Sequence, residues 1–206
     1  IQNLSTLATA CGVAGQSAVT VSVPGVVIFY AVEPIDGVGK GLGSAGPCAL
    51  RDNRGLTVLG TMRFDDADIA GLVSSGRLND VIMHEMMHVL GFGTLWNFVL
   101  PALSVRAGTA LTAYKGQNAI NACVGMGGGL GVCLYSIPLE NTGGSGTADS
   151  HWRETVFKSE LMTRFISGAT RPLSTMSFAS MQALGYTVKL PSAHAPNPGP
   201  SLPRRP

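Results

Sequence analysis

Charge is scarce in this chain. Asp, Glu, Lys and Arg supply 13% of its 206 residues, against about 25% in an average globular protein. Fourteen basic and twelve acidic residues leave a formal net charge of +2, and they are scattered. The basic stripe of a nucleic-acid binder is therefore missing. A long apolar run is missing too. The longest, around Gly25–Val32, falls far short of the ~20 residues that cross a bilayer, so no membrane-spanning segment is expected. The first residues lack the charged, then apolar, then small-residue order of a signal peptide, and a chain opening at Ile1 reads as a mature form or an excised segment. Disorder is excluded by the opposite signal, since 45% of the residues are hydrophobic and low charge does not fit an unfolded chain. What is abundant is glycine and proline, 27 and 12 residues, which describes a loop-rich globule. Its length suffices for one domain with two lobes.

Only four cysteines occur, Cys11, Cys48, Cys123 and Cys133, and no CxxC or CxH spacing supports a metal cluster among them. Cys123 and Cys133 flank the glycine-rich stretch 124–132, which one bridge would close, leaving Cys11 to pair with Cys48. Two disulfides imply an oxidising compartment and hence secretion or the cell surface. Asn3-Leu4-Ser5 is a glycosylation sequon consistent with that placement.

Residues 20–32 are rich in Val, Ile, Phe and Tyr and read as a strand pair or one broken strand. Gly37–Gly46 reads as a glycine-rich loop without the ending of a phosphate-binding loop. Leu56–Phe64 is a further strand, after which Asp65, Asp66 and Asp68 open a helical turn. Helix capping explains those acids. Calcium is the alternative cofactor there, although the EF-hand pattern is absent. Asn79–Leu90 is the clearest helix, with Asn79 or Asp80 as its cap, Val81, Ile82, Met86, Val89 and Leu90 as its apolar stripe, and Gly91 as its stop. Residues 95–150 are long, glycine-rich and weakly periodic, the signature of an insertion or a functional loop. Trp96, Phe98 and Leu100 within them read as packing residues. A last helix is expected over Thr175–Leu184, burying Met176, Ala179, Met181 and Leu184, and residues 191–206 form a Pro-rich tail or linker.

The chemistry lies in His84-Glu85-Met86-Met87-His88. Residues four apart share one helical face, so His84 and His88 can both direct an imidazole nitrogen at one ion. Glu85, one position round, can reach a water on that ion without ligating it. Gly91 extends the pattern to H-E-x-x-H-x-x-G. In metzincin proteases a third histidine follows three residues later, but Thr94 stands there. Two other histidines remain. His194 lies in the Pro-rich tail, which leaves His151 as the third ligand.

Three stretches carry a family resemblance: His84–Phe92 (HEMMHVLGF), Glu140–Glu154 (ENTGGSGTADSHWRE) and Ser159–Thr163 (SELMT). Together they resemble the leishmanolysin-type zinc metalloendopeptidases, metzincins whose third histidine is displaced by a long insertion. The likeness runs from Val26 through Tyr186 and includes GTMRFDDADIAGL and LSTMSFASMQALGY. The resemblance implies an α+β fold of two lobes. The N-terminal lobe, about 1–91, would hold a twisted mixed sheet and the active-site helix. The C-terminal lobe, about 92–190, would be loop-rich with one longer helix. It implies one catalytic zinc ion on His84, His88 and His151, Glu85 as general base, and Met162 as the apolar floor beneath the metal. It also implies that the strand before the metal helix, here Leu56–Phe64, offers an exposed edge to an extended peptide. A backing helix would lie upstream of Ile1. Arg164 occupies a position where some relatives carry a tyrosine, so no extra transition-state donor is expected from it. Glu160, Asp149 and Glu154 read as exposed acids or loop caps, the alternative being that one of them orients a zinc histidine through its other nitrogen.

The expected reaction is hydrolysis of peptide bonds in proteins by a zinc-activated water, with Glu85 carrying the proton. The rival from another class is a catalytically silent, zinc-stabilised adhesion or matrix module within a larger extracellular glycoprotein. Glu85 beside both histidines argues against it, because a structural zinc needs no such carboxylate and is usually closed by four protein ligands. A zinc hydrolase of non-peptide amides is the enzymatic alternative, and a protein-substrate assay with and without chelator separates all three.

Overall fold

The structure is a computed structural model that describes residues 1–6, 10–13, 15–51, 55–98, 103–166 and 172–190. Leu100 and the Pro-rich segment 191–206, with His194, lie outside the described residues. The fold is α+β, with a mixed sheet and several helices. It divides into two units, Ile1–Thr94 and Leu95–Pro206.

In the first unit β1 (Gln2–Thr6) pairs antiparallel with β2 (Val19–Val23). A second sheet has the order β3-β5-β4, built from β3 (Val27–Glu33), β4 (Gly43–Leu50) and β5 (Thr57–Asp65). β3 runs parallel to β5, and β4 antiparallel to it. The apolar stretch 20–32 is thus two strands in two different sheets, separated at Pro24-Gly25. Successive strand residues face opposite ways, and β5 uses both faces. Leu59 joins Leu4, Val23 and Val58 in a core cluster. Gly60, next along the strand, lies under the end of the helix Leu78–Val89, where a Cβ would stand 2.5 Å from Val89 Cγ1. Only glycine allows that approach.

Two expectations for this sheet are corrected. Gly37–Gly46 is not all loop, because β4 begins at Gly43. Its sequence GSAGPCAL has little strand propensity; pairing with β5 holds it extended, with register shifts between Pro47 and Leu50. Proline is tolerated there because β4 is an edge strand. The second correction concerns Leu56–Phe64. β5 is the central strand of its sheet, paired on both sides, so it offers no free edge to a peptide; β4 and β3 are the edges.

Helix α1 (Asp66–Ser74) is capped by Asp65, whose carboxylate accepts from Ala67 N at 3.1 Å. Helix α2 (Leu78–Val89) starts at Arg77 without a side-chain cap, so neither Asn79 nor Asp80 caps it, and both lie in its first turn. Its buried stripe is Val81, His84, Glu85, Met87, His88 and Val89. Met86, expected inside, is exposed, as is Met83. Chemistry explains the exchange, since the two histidines and the glutamate occupy the buried face. Gly91 stops the helix at φ 106°, with Gly91 N donating to His88 O and Phe92 N to Met87 O. This is the Schellman pattern, which needs a left-handed residue after the helix.

The second unit has short elements. β6 (Ser104–Val105), β7 (Ala113–Tyr114) and β8 (Ile137–Pro138) form a small antiparallel sheet. Helix α3 (Gln117–Cys123) runs into the segment Val124–Gly128, which is kinked at Gly127 (φ 85°), before the short helix α4 (Gly129–Val132). α5 (Glu154–Phe157) is a single turn, and α6 (Thr175–Ala183) is the longer helix, burying Met176, Ala179, Met181 and Leu184. α3 packs on α6. Around them Trp96, Tyr114, Trp152 and Phe157 form an aromatic core, with ring centroids 4.7–6.3 Å apart along the chain of contacts. Trp96 packs as expected, whereas Phe98 is 84% exposed and is no core residue. Both disulfides form as the spacing suggested, Cys11–Cys48 in the first unit and Cys123–Cys133 in the second. No helix among the described residues is long and apolar enough to cross a membrane.

Candidate metal centre

Helix α2 brings His84 and His88 together as the four-residue spacing requires. Their Nε2 atoms lie 3.1 Å apart, and both residues are buried. Nitrogens about 2.0–2.1 Å from a tetrahedral zinc stand about 3.3 Å from each other, so the pair spans one edge of such a site. The donor set fits the metal. The Nδ1–H of His88 donates to the carbonyl of Phe92 at 2.9 Å, which leaves the lone pair on Nε2, the tautomer a ligand needs. Burial holds the His88 pKa down to about 4, so the ring is neutral across the physiological range.

Glu85 is buried beside them, and burial pushes its carboxyl up to about 8. A cation next to it would draw that value down again. Its Oε1 abuts the start of β4, where a Cβ on Gly43 would stand 3.3 Å away. Thr94, in the place of a third histidine, serves the helix instead. Its hydroxyl donates to His88 O at 3.0 Å and closes the end of α2.

His151 and Met162 belong to the second unit. His151 follows a glycine-rich turn, and its Nδ1 lies 2.9 Å from Thr147 O and 3.0 Å from Ser150 Oγ. With the Nδ1 proton directed at the Thr147 carbonyl, the lone pair again resides on Nε2. The turn requires Gly143, at φ 90°, where a Cβ would meet Thr147 Cγ2 at 2.8 Å. The backbone of His151 is clamped on one side by Glu140, whose N–H donates to His151 O at 2.9 Å. The next residue, Trp152, donates its N–H to Met162 O at 3.0 Å. Met162 is fully buried.

A match to the family model for leishmanolysin, peptidase M8, covers residues 11–194. The chain belongs to the leishmanolysin family. Membership makes it a metallopeptidase of the zinc class, acting on peptides, as the resemblance implied. No curated protein matches the sequence.

Two carboxylates in this leishmanolysin-family chain carry more than their sequence suggested. Glu160 is 1% exposed, not a surface acid. It accepts from Met162 N, Ser177 Oγ, Ser174 N at 3.0 Å and Ser174 Oγ at 2.7 Å, and Ser177 Oγ in turn accepts from Trp152 Nε1 at 2.7 Å. Burial nevertheless leaves its pKa raised. Glu140, also buried, accepts from the N–H groups of Asn141, Thr142 and Glu154 and faces Arg164 at 3.8 Å. Arg164 thereby ties its segment to the loop before His151. The hint for Glu160 lay in Ser174-x-x-Ser177, a helix start that needs an acceptor. Asp149 accepts from Gly108 N at 2.8 Å, and Glu154 from Phe165 N at 3.4 Å; both are loop ties, as expected.

Proposed function

We propose that the chain is a secreted zinc endopeptidase in which His84, His88 and His151 hold one zinc ion and Glu85 is the general base. The observation that carries this reading is the pair of imidazole nitrogens 3.1 Å apart on α2, with a buried carboxylate on the adjoining residue. Zinc, when bound, is a Lewis acid that acidifies water and polarises the scissile carbonyl. Glu85 takes the proton of the attacking water and delivers it to the departing amine. His88 and His151 are both held as Nε2 ligands by carbonyls that take their Nδ1 protons. Met162 supplies an apolar floor, fixed by the hydrogen bonds of its N–H to Glu160 and its carbonyl to Trp152. An extended peptide pairs with the edge strand β4, whose first residue abuts Glu85. Residues 1–190 form the catalytic domain, followed by the Pro-rich tail. The two disulfides fit an oxidising compartment.

Hydrolysis of casein or a peptide library, with and without a chelator, tests the activity. Glu85→Gln should retain zinc and lose about 10²–10⁴ in rate. Comparable hydrolysis by that variant rules Glu85 out as the base. His151→Ala should lose zinc on dialysis, and an unchanged metal content would place the third ligand elsewhere.

A further inference from the structure

Side chains on one helix arrive already placed, whereas His151 stands at the end of a loop that must first be shaped. The stretch before it holds Gly143, Gly144 and Gly146 at φ of 90°, 74° and 91°, and Asp149 at 65°. So pliant a segment has many unfolded conformations to lose. Glu140 closes its two ends. The main chain of Glu140 donates to His151 O and accepts from Asp149 N, both at 2.9 Å. Its buried carboxylate accepts from Asn141 N and Thr142 N on Oε1, at 3.1 and 3.0 Å, and from Glu154 N on Oε2 at 3.1 Å. One side chain thus holds the backbone both before and after the loop. Arg164 adds a third segment. Its guanidinium donates to Thr142 Oγ1, which donates in turn to Glu140 Oε1. The same guanidinium faces Glu140 at 3.8 Å and lies over the Phe165 ring at 4.2 Å. Arg164 stands two residues beyond Met162, whose carbonyl accepts from Trp152 N.

We propose that Glu140 and Arg164, linked through Thr142, are positioning residues for the third zinc ligand, holding the His151 loop in its ligating shape before the ion arrives. This role rests on the reading of His151 as that ligand. Preorganisation is the reason it matters. Affinity falls with the fraction of time that a ligand spends out of place, and a loop ligand is out of place unless other bonds have ordered it. The nearer supports of His151, Thr147 O and Ser150 Oγ on its Nδ1, belong to the loop itself. They are only as well placed as the clamp at Glu140 makes them.

The test measures zinc affinity of the full chain by chelator competition, in the parent, Arg164→Gln, His151→Ala and the double variant. Arg164→Gln should bind zinc about tenfold more weakly, as loss of an outer support does at other metal sites. Its zinc-free form should melt within a few degrees of the parent, because a part-exposed ion pair adds little stability. Arg164→Lys should restore most of the affinity, since it returns the charge and a donor for Thr142. In the His151→Ala background, Arg164→Gln should leave zinc affinity unchanged, because the residue through which Arg164 acts is gone. Thr142→Val, at an exposed position, breaks the same link and replaces Arg164→Gln if that variant does not fold. Parent-like zinc affinity in Arg164→Gln or its replacement, or an equal loss with and without His151, would overturn the proposal. Parent-like affinity in His151→Ala would instead overturn the third-ligand reading, and the proposal with it. Weak binding by His151→Ala beside parent-like binding by Arg164→Gln overturns the proposal alone.

Discussion

The two units are held together by different kinds of bond. In the first, main-chain ladders dominate: β5 is paired along both sides, and α2 lies over it close enough to require Gly60. In the second, strands are two residues long and the backbone is fixed by buried side chains. Glu160 gathers Met162, Ser174 and Ser177; Glu140 gathers Asn141, Thr142 and Glu154; Arg153 donates to the Leu139 and Ala110 carbonyls at 2.8 and 3.0 Å. A ladder spreads its stability over many equivalent bonds, whereas a hub concentrates it. Single polar substitutions should therefore hurt the second unit more than the first.

The sharpest way to break this contrast is Glu160→Ala. Four donors lose one buried acceptor, so we expect a loss of about 4 kcal/mol, read by denaturant unfolding. A loss under about 1 kcal/mol would mean the hub carries little. The disulfides probe the same contrast through the unfolded chain. Cys11–Cys48 closes a separation of 37 residues and Cys123–Cys133 one of 10. Loop entropy then assigns them about 3.8 and about 2.7 kcal/mol, and paired serine variants should melt in that order. The reverse order would show that local packing around the shorter bridge outweighs chain entropy. The smallest effect concerns acid. Backbone donors, Asp36 N–H first, hold the Asp65 carboxyl down at about 2 against an ordinary 3.8. A lowered carboxyl contributes in full above the ordinary value and loses its contribution as pH falls towards the folded value. The stability advantage of the parent over Asp65→Asn should therefore shrink between about pH 4 and pH 2. A constant difference over that interval would detach the effect from ionisation.

The same contrast explains what is legible in the sequence. α2 is marked by its spacing, its glycine stop and its paired histidines. Yet its inward face departs from the apolar pattern at Met86, because burial usually follows apolarity and here His84, Glu85 and His88 occupy the interior. The three-strand sheet is legible where Val and Phe dominate, and illegible at β4, where glycine and proline are extended only by the partner strand. Without β4, the central position of β5 is hidden as well. In the second unit, α6 is visible from Met176, Ala179 and Met181, whereas α3 is lost in the weakly periodic insertion. Glu160 looks like a surface acid because nothing local distinguishes it; its serine partners lie 14 and 17 positions away. Met162 stands out by likeness to a family rather than by pattern, and His151 by elimination among four histidines.

The turn that ends α2 has a consequence beyond halting the helix. The carbonyl that captures the Nδ1 proton of His88 belongs to Phe92, one step past the left-handed Gly91. Folding the chain back and readying the ring are thus a single event. A helix prolonged by one more turn would swing that oxygen away, and the imidazole could then carry its hydrogen on the nitrogen that faces His84.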